Sequence, residues 1–384
     1  MIFSNTYFKN FKVKKKDSKL NAYIKLLLKK KDSVISSLGN DYKFSFDKKK
    51  ISKYKKFLNY RLIGMGGSSL GAHAIFDFLK TKIKKNFTFI DNLEVENFKN
   101  NKDKFLNLII SKSGNTVETI VNANILIKKN DKNIFITENK KNFLNLLAND
   151  LKSEVIHHNN FIGGRYSVLS EVGMLPAELM GLNVKKFKQL DNLVKNKNFI
   201  NILVSNVAST IFHVKQKKFN SVIINYDPKS KNLLNWYQQL IAESLGKKSK
   251  GILPIISNMP KDNHSVMQLY LDGFKNNFFT FFYSKNKASI KINSNKMFST
   301  HNFLKNKNID QILLAQKNAT ENVFLRKNIP FRSFEIQENN EKTLGELFCF
   351  FILETILLAH ALKVNPYDQP SVELIKKETK KILI

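Results

Sequence analysis

The sequence predicts an α/β fold: two doubly wound halves with mainly parallel sheets, preceded by an N-terminal arm and closed by a C-terminal helical tail. Three observations predict it. Short apolar runs alternate with amphipathic stretches of helical length, the signature of βαβ units. Two of the apolar runs end directly in glycine-containing turns that open helices, as at the carboxyl ends of parallel strands. The chain has 384 residues, 42% of them hydrophobic, enough for more than one core.

Taken in order, residues 1–50 are Lys-rich with one amphipathic stretch, LNAYIKLLLKK, and predict an N-terminal helical arm. The first α/β half spans residues 51–190. YRLIGMGG (60–67) predicts a strand and glycine turn, followed by the helix LGAHAIFDFLK. NFTFIDN (86–92) and FLNLIIS (105–111) predict strands, the second leading through a Gly-containing turn into the helix TVETIVNANILIKK, and NIFITEN (133–139) a fourth strand. The second half spans residues 191–343. NILVSN opens a helical pattern, SVIINYD (221–227) predicts a strand, and LLNWYQQLIAESLGKK a strong helix. NNFFTFFYS (276–284) and PFRSFEIQE predict strands flanking the helix QILLAQKNATENVFLRKN. Residues 344–384 supply an apolar helix and a tail, NPYDQPSVELIKKETKKIL.

Charge is the most conspicuous bulk property and the least informative. Lys and Arg total 64 against 31 Asp and Glu, a formal net charge of +33. Only Arg61, Arg165, Arg326 and Arg332 are arginines, whereas base readout and bidentate phosphate clamping favour the planar guanidinium. The lysines are spread along the whole chain beside abundant Asn, Ile and Phe, residues sharing A/T-rich codons. A diffuse solvated bias is therefore expected rather than a specific nucleic-acid face. Cys349 is the only cysteine, which excludes an intrachain disulfide or a Cys-based zinc site and fits a reducing cytoplasm. The N-terminus lacks the apolar segment of a signal peptide. The longest apolar stretch, Leu347 to Leu362, carries Glu354 and His360 and reads as a buried helix rather than a membrane span, with His360 a core histidine. His157-His158 lacks a surrounding ligand set, so no metal is expected and the pair reads as solvated.

Two turns suit an anion. In Gly64-Met65-Gly66-Gly67-Ser68-Ser69-Leu70-Gly71, glycine permits close backbone approach to a ligand, although the same residues serve an ordinary tight turn. It is not a dinucleotide fingerprint, because Ser69 stands at the third glycine position. In Ser111-Lys112-Ser113-Gly114-Asn115-Thr116-Val117-Glu118-Thr119, hydroxyls, a glycine and helix amides converge, which suits a terminal phosphate; the alternative is a plain cap by Thr116.

The pattern S-x-S-G-x-T-x-E-T resembles the phosphate loop of the sugar isomerase domain, and with GMGGSSLG it resembles the phosphoglucose isomerase family. Further segments match in family order: Gly163-Gly164-Arg165-Tyr166-Ser167, Gln238-Gln239 through Glu243-Ser244 to Gly246-Lys247, Asp262-Asn263-His264-Ser265, and Asn365-Pro366-Tyr367-Asp368-Gln369-Pro370. The resemblance implies two sugar isomerase domains and a cofactor-free isomerase of glucose 6-phosphate and fructose 6-phosphate. It implies that Ser68, Ser111, Lys112, Ser113 and Thr116 hold the substrate phosphate, with Gly67, Gly164 and Gln239 around the sugar. Glu243 would move a proton between C2 and C1, and Arg165 would stabilise the enediolate; a surface pair of Glu243 with Lys247 and an ordinary loop salt bridge of Arg165 are the competing readings. His264 would open the ring from the other subunit of a homodimer, unless it is a solvated or capping histidine. Lys376 matches the family's C-terminal lysine, but Ser371 and Ile375 replace two glycines there, which leaves Lys377 as a candidate. Ser69 stands where the family commonly has Asp. A relative that also accepts mannose 6-phosphate, or a non-catalytic phosphosugar-binding regulator, are the alternative functions.

Overall fold

A computed structural model describes residues 3–12, 15–94, 104–128, 130–286, 288–293 and 299–384. The N-terminal segment forms β1 (Thr6–Lys9) and the helices α1 (Ser18–Lys30), α2 (Ser33–Leu38) and α3 (Lys48–Ser52). Next come β2 (Asn59–Gly64), α4 (Leu70–Phe78), β3 (Asn86–Ile90), β4 (Phe105–Ile110), α5 (Val117–Leu126), β5 (Lys132–Glu138), α6 (Phe143–Asp150), β6 (Glu154–His158) and α7 (Glu171–Leu179). Helices α8 (Leu190–Lys195) and α9 (Lys197–Lys215) lead to β7 (Asn220–Asn225), α10 (Lys231–Leu245), β8 (Leu253–Asn258), α11 (Met267–Asp272), β9 (Asn277–Ser284), α12 (Ile309–Arg326) and β10 (Phe331–Ile336). The chain closes with α13 (Glu341–Leu362) and α14 (Pro370–Ile382).

Two five-stranded sheets result. The first is fully parallel in the order β3-β2-β4-β5-β6, and its central strands β2 and β4 are buried from their second residue onward, as near-continuous apolar runs require. The second runs β1-β10-β9-β7-β8, parallel except for β1. Numbered within each half, the parallel strands follow the same order, second-first-third-fourth. The fifth position is filled by β6 in one sheet and by the N-terminal strand β1 in the other. Residues 6–9, inside the segment read as a helical arm, thus form an edge strand, with Thr6 opposite Ile336; the helical expectation holds for α1, capped by the Asp17 carboxylate.

Helix α13 is the hub. It is buried from Thr343 to Ala359, and its Leu and Phe side chains join the core shared by both halves. It is long and apolar enough to cross a bilayer by length and composition, yet it lies inside the protein. Glu354 is buried in that helix only because it is paired: Arg332 of β10 donates to it, Asn206 of α9 donates to it at 2.5 Å, and Tyr237 of α10 at 2.9 Å. Arg332 also donates to Thr280 Oγ1, Asn206 Oδ1 and Tyr237 Oη. The network ties α10 to α9, α13, β9 and β10.

Two histidine readings are corrected. His360, expected in the core, is exposed at the end of α13 and stacks on Tyr23 at 3.6 Å between ring centroids. His157 is exposed, but His158 is buried: strand alternation turns it inward, where Nε2 meets the Ile162 carbonyl oxygen at 3.0 Å and Nδ1 lies 3.5 Å from Glu171.

Candidate active site

In the first sheet the strand order reverses between β2 and β4, the place where open α/β sheets bind ligands. Both anion-suited turns leave the sheet there. Gly64 pairs in register with Ile110, so the turn of residues 66–68 and the loop of residues 111–116 start side by side.

In the loop, Ser111 is buried and its hydroxyl meets that of Thr116 at 2.9 Å. Thr116 therefore does not cap α5 with its side chain, which removes the plain-cap reading and leaves the first-turn amides without a side-chain acceptor. Gly114 adopts φ +66° and packs against Asn142 so closely that a Cβ would lie 2.1 Å from Asn142 Oδ1. Ser113 is exposed, and Lys112 lies 3.4 Å from Glu138. Ser68 is half-buried in the neighbouring turn. Ser69 is buried and donates to the Gly66 carbonyl at 3.2 Å, so its hydroxyl closes the turn locally.

The glycine turn also touches the second cluster. A Cβ on Gly67 would lie 2.2 Å from the carbonyl carbon of Gly164, so Gly67 lets the turns of residues 66–68 and 164–169 meet backbone to backbone. That contact delivers Arg165, whose side chain is buried with all five N–H groups engaged. Nε donates to Ser244 Oγ at 2.8 Å, and Nη1 to Glu243 Oε2 at 3.2 Å and Gln369 Oε1 at 2.7 Å. Nη2 donates to the carbonyls of Pro366 at 2.6 Å and Asp368 at 3.0 Å. Trp236 Nε1 fixes the Arg165 carbonyl at 3.1 Å.

Glu243, half-buried near the end of α10, is held at both oxygens, since Gln239 Nε2 donates to Oε1 at 2.8 Å. It does not pair with Lys247, which instead binds Asp368 at 2.7 Å. Gln239 lies against Gly66, with Nε2 only 2.8 Å from where a Cβ would stand, and its Oε1 is buried without a partner. Gly67, Gly164, Arg165, Gln239 and Glu243 thus form one contiguous cluster. Ser68, Ser111, Lys112, Ser113 and Thr116 lie on the two neighbouring turns.

Two expected residues lie elsewhere. His264 is exposed on the turn of residues 261–264 after β8 and has no hydrogen-bond or ion-pair partner among the described residues. Lys376 is exposed on α14, paired with Glu373 at 2.6 Å; Lys377 is exposed on the same helix. Sequence reasoning missed Ser244 and Gln369, which accept from Arg165, and Tyr166, whose hydroxyl meets Ser244 Oγ at 2.8 Å and donates to the Pro366 carbonyl at 3.2 Å, although each lay inside a matched segment. It also treated Thr119 only as a helix residue, whereas its hydroxyl is buried without a partner just behind the loop.

The arrangement offers a fixed cation, a carboxylate held at both oxygens, and a hydroxyl-lined helix N-terminus beside them. The family description "Phosphoglucose isomerase" matches residues 47–384. The glucose-6-phosphate isomerase of Methanocaldococcus jannaschii is 32% identical over 376 residues, covering 93% of this chain and 92% of that one. That of Mycoplasmopsis pulmonis is 33% identical over 350 residues, covering 84% and 82%. Among solved structures, a hypothetical protein of Thermus thermophilus shares the fold at a TM-score of 0.83 and 23% identity, with 95% of each chain covered. A glucose-6-phosphate isomerase of Chlamydia trachomatis does so at 0.71 and 19%, over 88% of this chain and 72% of that one. With the match running through both sheets and every segment of the cluster, the chain belongs to the phosphoglucose isomerase family.

Proposed function

We propose that the protein is an aldose–ketose isomerase interconverting glucose 6-phosphate and fructose 6-phosphate, a step of glycolysis and gluconeogenesis. The observation that carries this reading is Glu243, gripped at one oxygen by Arg165 and at the other by Gln239, beside a loop suited to a phosphate monoester. Ser68, Ser111, Lys112, Ser113 and Thr116 hold the phosphate, with the amides of α5 complementing its charge. Gly67 and Gly164 leave room for the sugar, and the unpartnered Oε1 of Gln239 accepts from one of its hydroxyls.

Once the ring is open, Glu243 removes the proton from C2 and the negative charge passes to O1, giving a cis-enediolate. The O2 proton then passes to O1, Glu243 returns its own proton to C1, and the aldose becomes the ketose. Because every donor of Arg165 is already engaged, its contribution is a preorganised positive charge beside the enediolate rather than a new bond to it. Ring opening is assigned to His264 of a second subunit in a homodimer, which its exposed, unpartnered position supports. Lys376 assists only once α14 folds over the sugar. The enzyme acts in the cytoplasm without a cofactor or a membrane, and its one thiol, Cys349, is buried.

A coupled assay with glucose 6-phosphate and mannose 6-phosphate tests this. Conversion of the first and a loss of about 10²–10⁴-fold in Glu243→Gln, with phosphosugar binding retained, are expected. Turnover near wild type in that variant overturns the mechanism, and binding without turnover in the wild type makes the protein a phosphosugar-binding regulator.

A further inference from the structure

Where β1 ends and β10 begins, at the end of the second sheet opposite the one that carries His264, an open groove holds about 990 Å³. That is at the upper end of the ~300–1,000 Å³ range of small-molecule sites. Lys9, Lys12, Phe212, His213, Lys218 and Phe331 line it, brought together from the end of β1, the end of α9 and the start of β10. None of these residues has a part in the isomerase reading.

His213 is buried, yet neither ring nitrogen has a hydrogen-bond partner. Its ring is surrounded by aromatic side chains, Phe11 at 4.9 Å and Phe212 at 5.5 Å between centroids. Burial, and then Lys218, push the imidazole down to about 4, so near neutral pH it presents one donor and one acceptor, both unused. A buried polar group left this way is destabilising unless something supplies its bond. The lysines make the second argument. Lys218 is only half-exposed and has no carboxylate partner; its ammonium donates to the Lys275 carbonyl. Lys12 has no hydrogen-bond or ion-pair partner among the described residues, and only Lys9 has an acid near it, Glu321 at 3.8 Å. Lys9 also sits over the Phe331 ring at 4.9 Å from its centroid.

We infer that this groove binds an aromatic anion, a planar ring carrying a phosphate or a carboxylate. The ring stacks on the phenylalanine wall and meets His213, while the charged group is held by Lys12 and Lys218. Either head group satisfies the lysines, so two probes separate the sources: AMP for a nucleoside phosphate and phenylpyruvate for an aromatic carboxylate. Ribose 5-phosphate serves as the control without a planar ring.

Titration calorimetry on the full chain, with fructose 6-phosphate present to fill the phosphate loop, is the test. Saturable one-to-one binding of AMP or phenylpyruvate is expected, weakened at least about tenfold in Lys12→Glu and in Lys218→Glu. His213→Leu should lose binding without lowering Tm, since it removes an unpartnered buried polar group. Lys12 is exposed, so its variant tests the idea even if another fails to fold. Absence of saturable heat with both probes overturns the inference. So does equal binding of ribose 5-phosphate, displacement by fructose 6-phosphate, or indifference to the charge reversals.

Discussion

At Ser111 and Thr116 the local chemistry is unusually constrained, because each hydroxyl faces the other rather than the helix. A bound phosphate would accept from both, and a hydrogen bond to a charged group contributes about 1.5–3 kcal/mol. Thr116→Val should therefore raise KM roughly ten- to hundredfold. It should change kcat far less, because the phosphate is bound alike in ground and transition states. Steady-state kinetics check this, and an equal loss in kcat would move Thr116 into the chemistry. Arg165 behaves oppositely. Arg165→Lys keeps the charge but cannot reproduce five directed donors, so kcat should fall together with the order of the 366–369 segment. Kinetics combined with hydrogen exchange at that segment measure both effects. Much of this site was legible in the sequence, because the phosphate turn, Arg165, Gln239 and Glu243 lie in compact segments. What hid was the scaffolding between segments. Nothing in the sequence ties Gln369 to Arg165 across two hundred residues, or shows that Glu243 is held by an arginine rather than by Lys247.

Among the strands, those that escaped sequence reading share a location. β1, β6 and β8 are all edge strands. An edge strand is covered on fewer sides, so Glu154–His158 can carry two histidines and Leu253–Asn258 can open with an exposed Leu and a Pro. Neither shows the continuous apolar run that marked β2, β4, β7 and β9. Helix α10 was legible from its periodicity, but not what orients it. Tyr237, on the same helix as Glu243, is joined by the buried Glu354 to Arg332. Glu354→Ala strands Arg332 and should destabilise the fold by about 3–5 kcal/mol, read as a lower midpoint in denaturant. Helix α14 differs from every other long helix in having no buried residue. Ile375, Leu374 and Lys376 all face solvent in the single chain. If α14 folds over the sugar, Lys376→Ala lowers turnover of glucose 6-phosphate while Lys377→Ala does not; the reverse outcome assigns the role to Lys377.

For the whole molecule, the repeated strand order gives two equivalent switch points, of which only one carries the hydroxyl-lined loop of residues 111–116. At the second, between β7 and β9, carboxylates occupy the position: Asp310 accepts from the Asn286 amide at 3.0 Å, and Asp227 is buried there and accepts from Ser230. One chain therefore supplies one such loop. If His264 serves a neighbour's loop, mixing Glu243→Gln with His264→Ala subunits should restore activity neither has alone. Random exchange would give about one quarter of the wild-type level, since half the dimers would be mixed with one intact site each. Failure to complement would place both residues in one subunit's site. The +33 charge acts at this scale too: kcat/KM should fall as ionic strength rises, through weaker capture of a dianionic substrate. The pairing of β1 with β10 has a consequence for how the chain comes to be folded. As the polypeptide leaves the ribosome, every strand of the first sheet is available by residue 158, and each pairs with near neighbours. Thr6–Lys9 must wait for Phe331–Ile336, the last strand among the described residues. This early segment thus finds its partner long after it is made, a contact of very high order that closes the second sheet late.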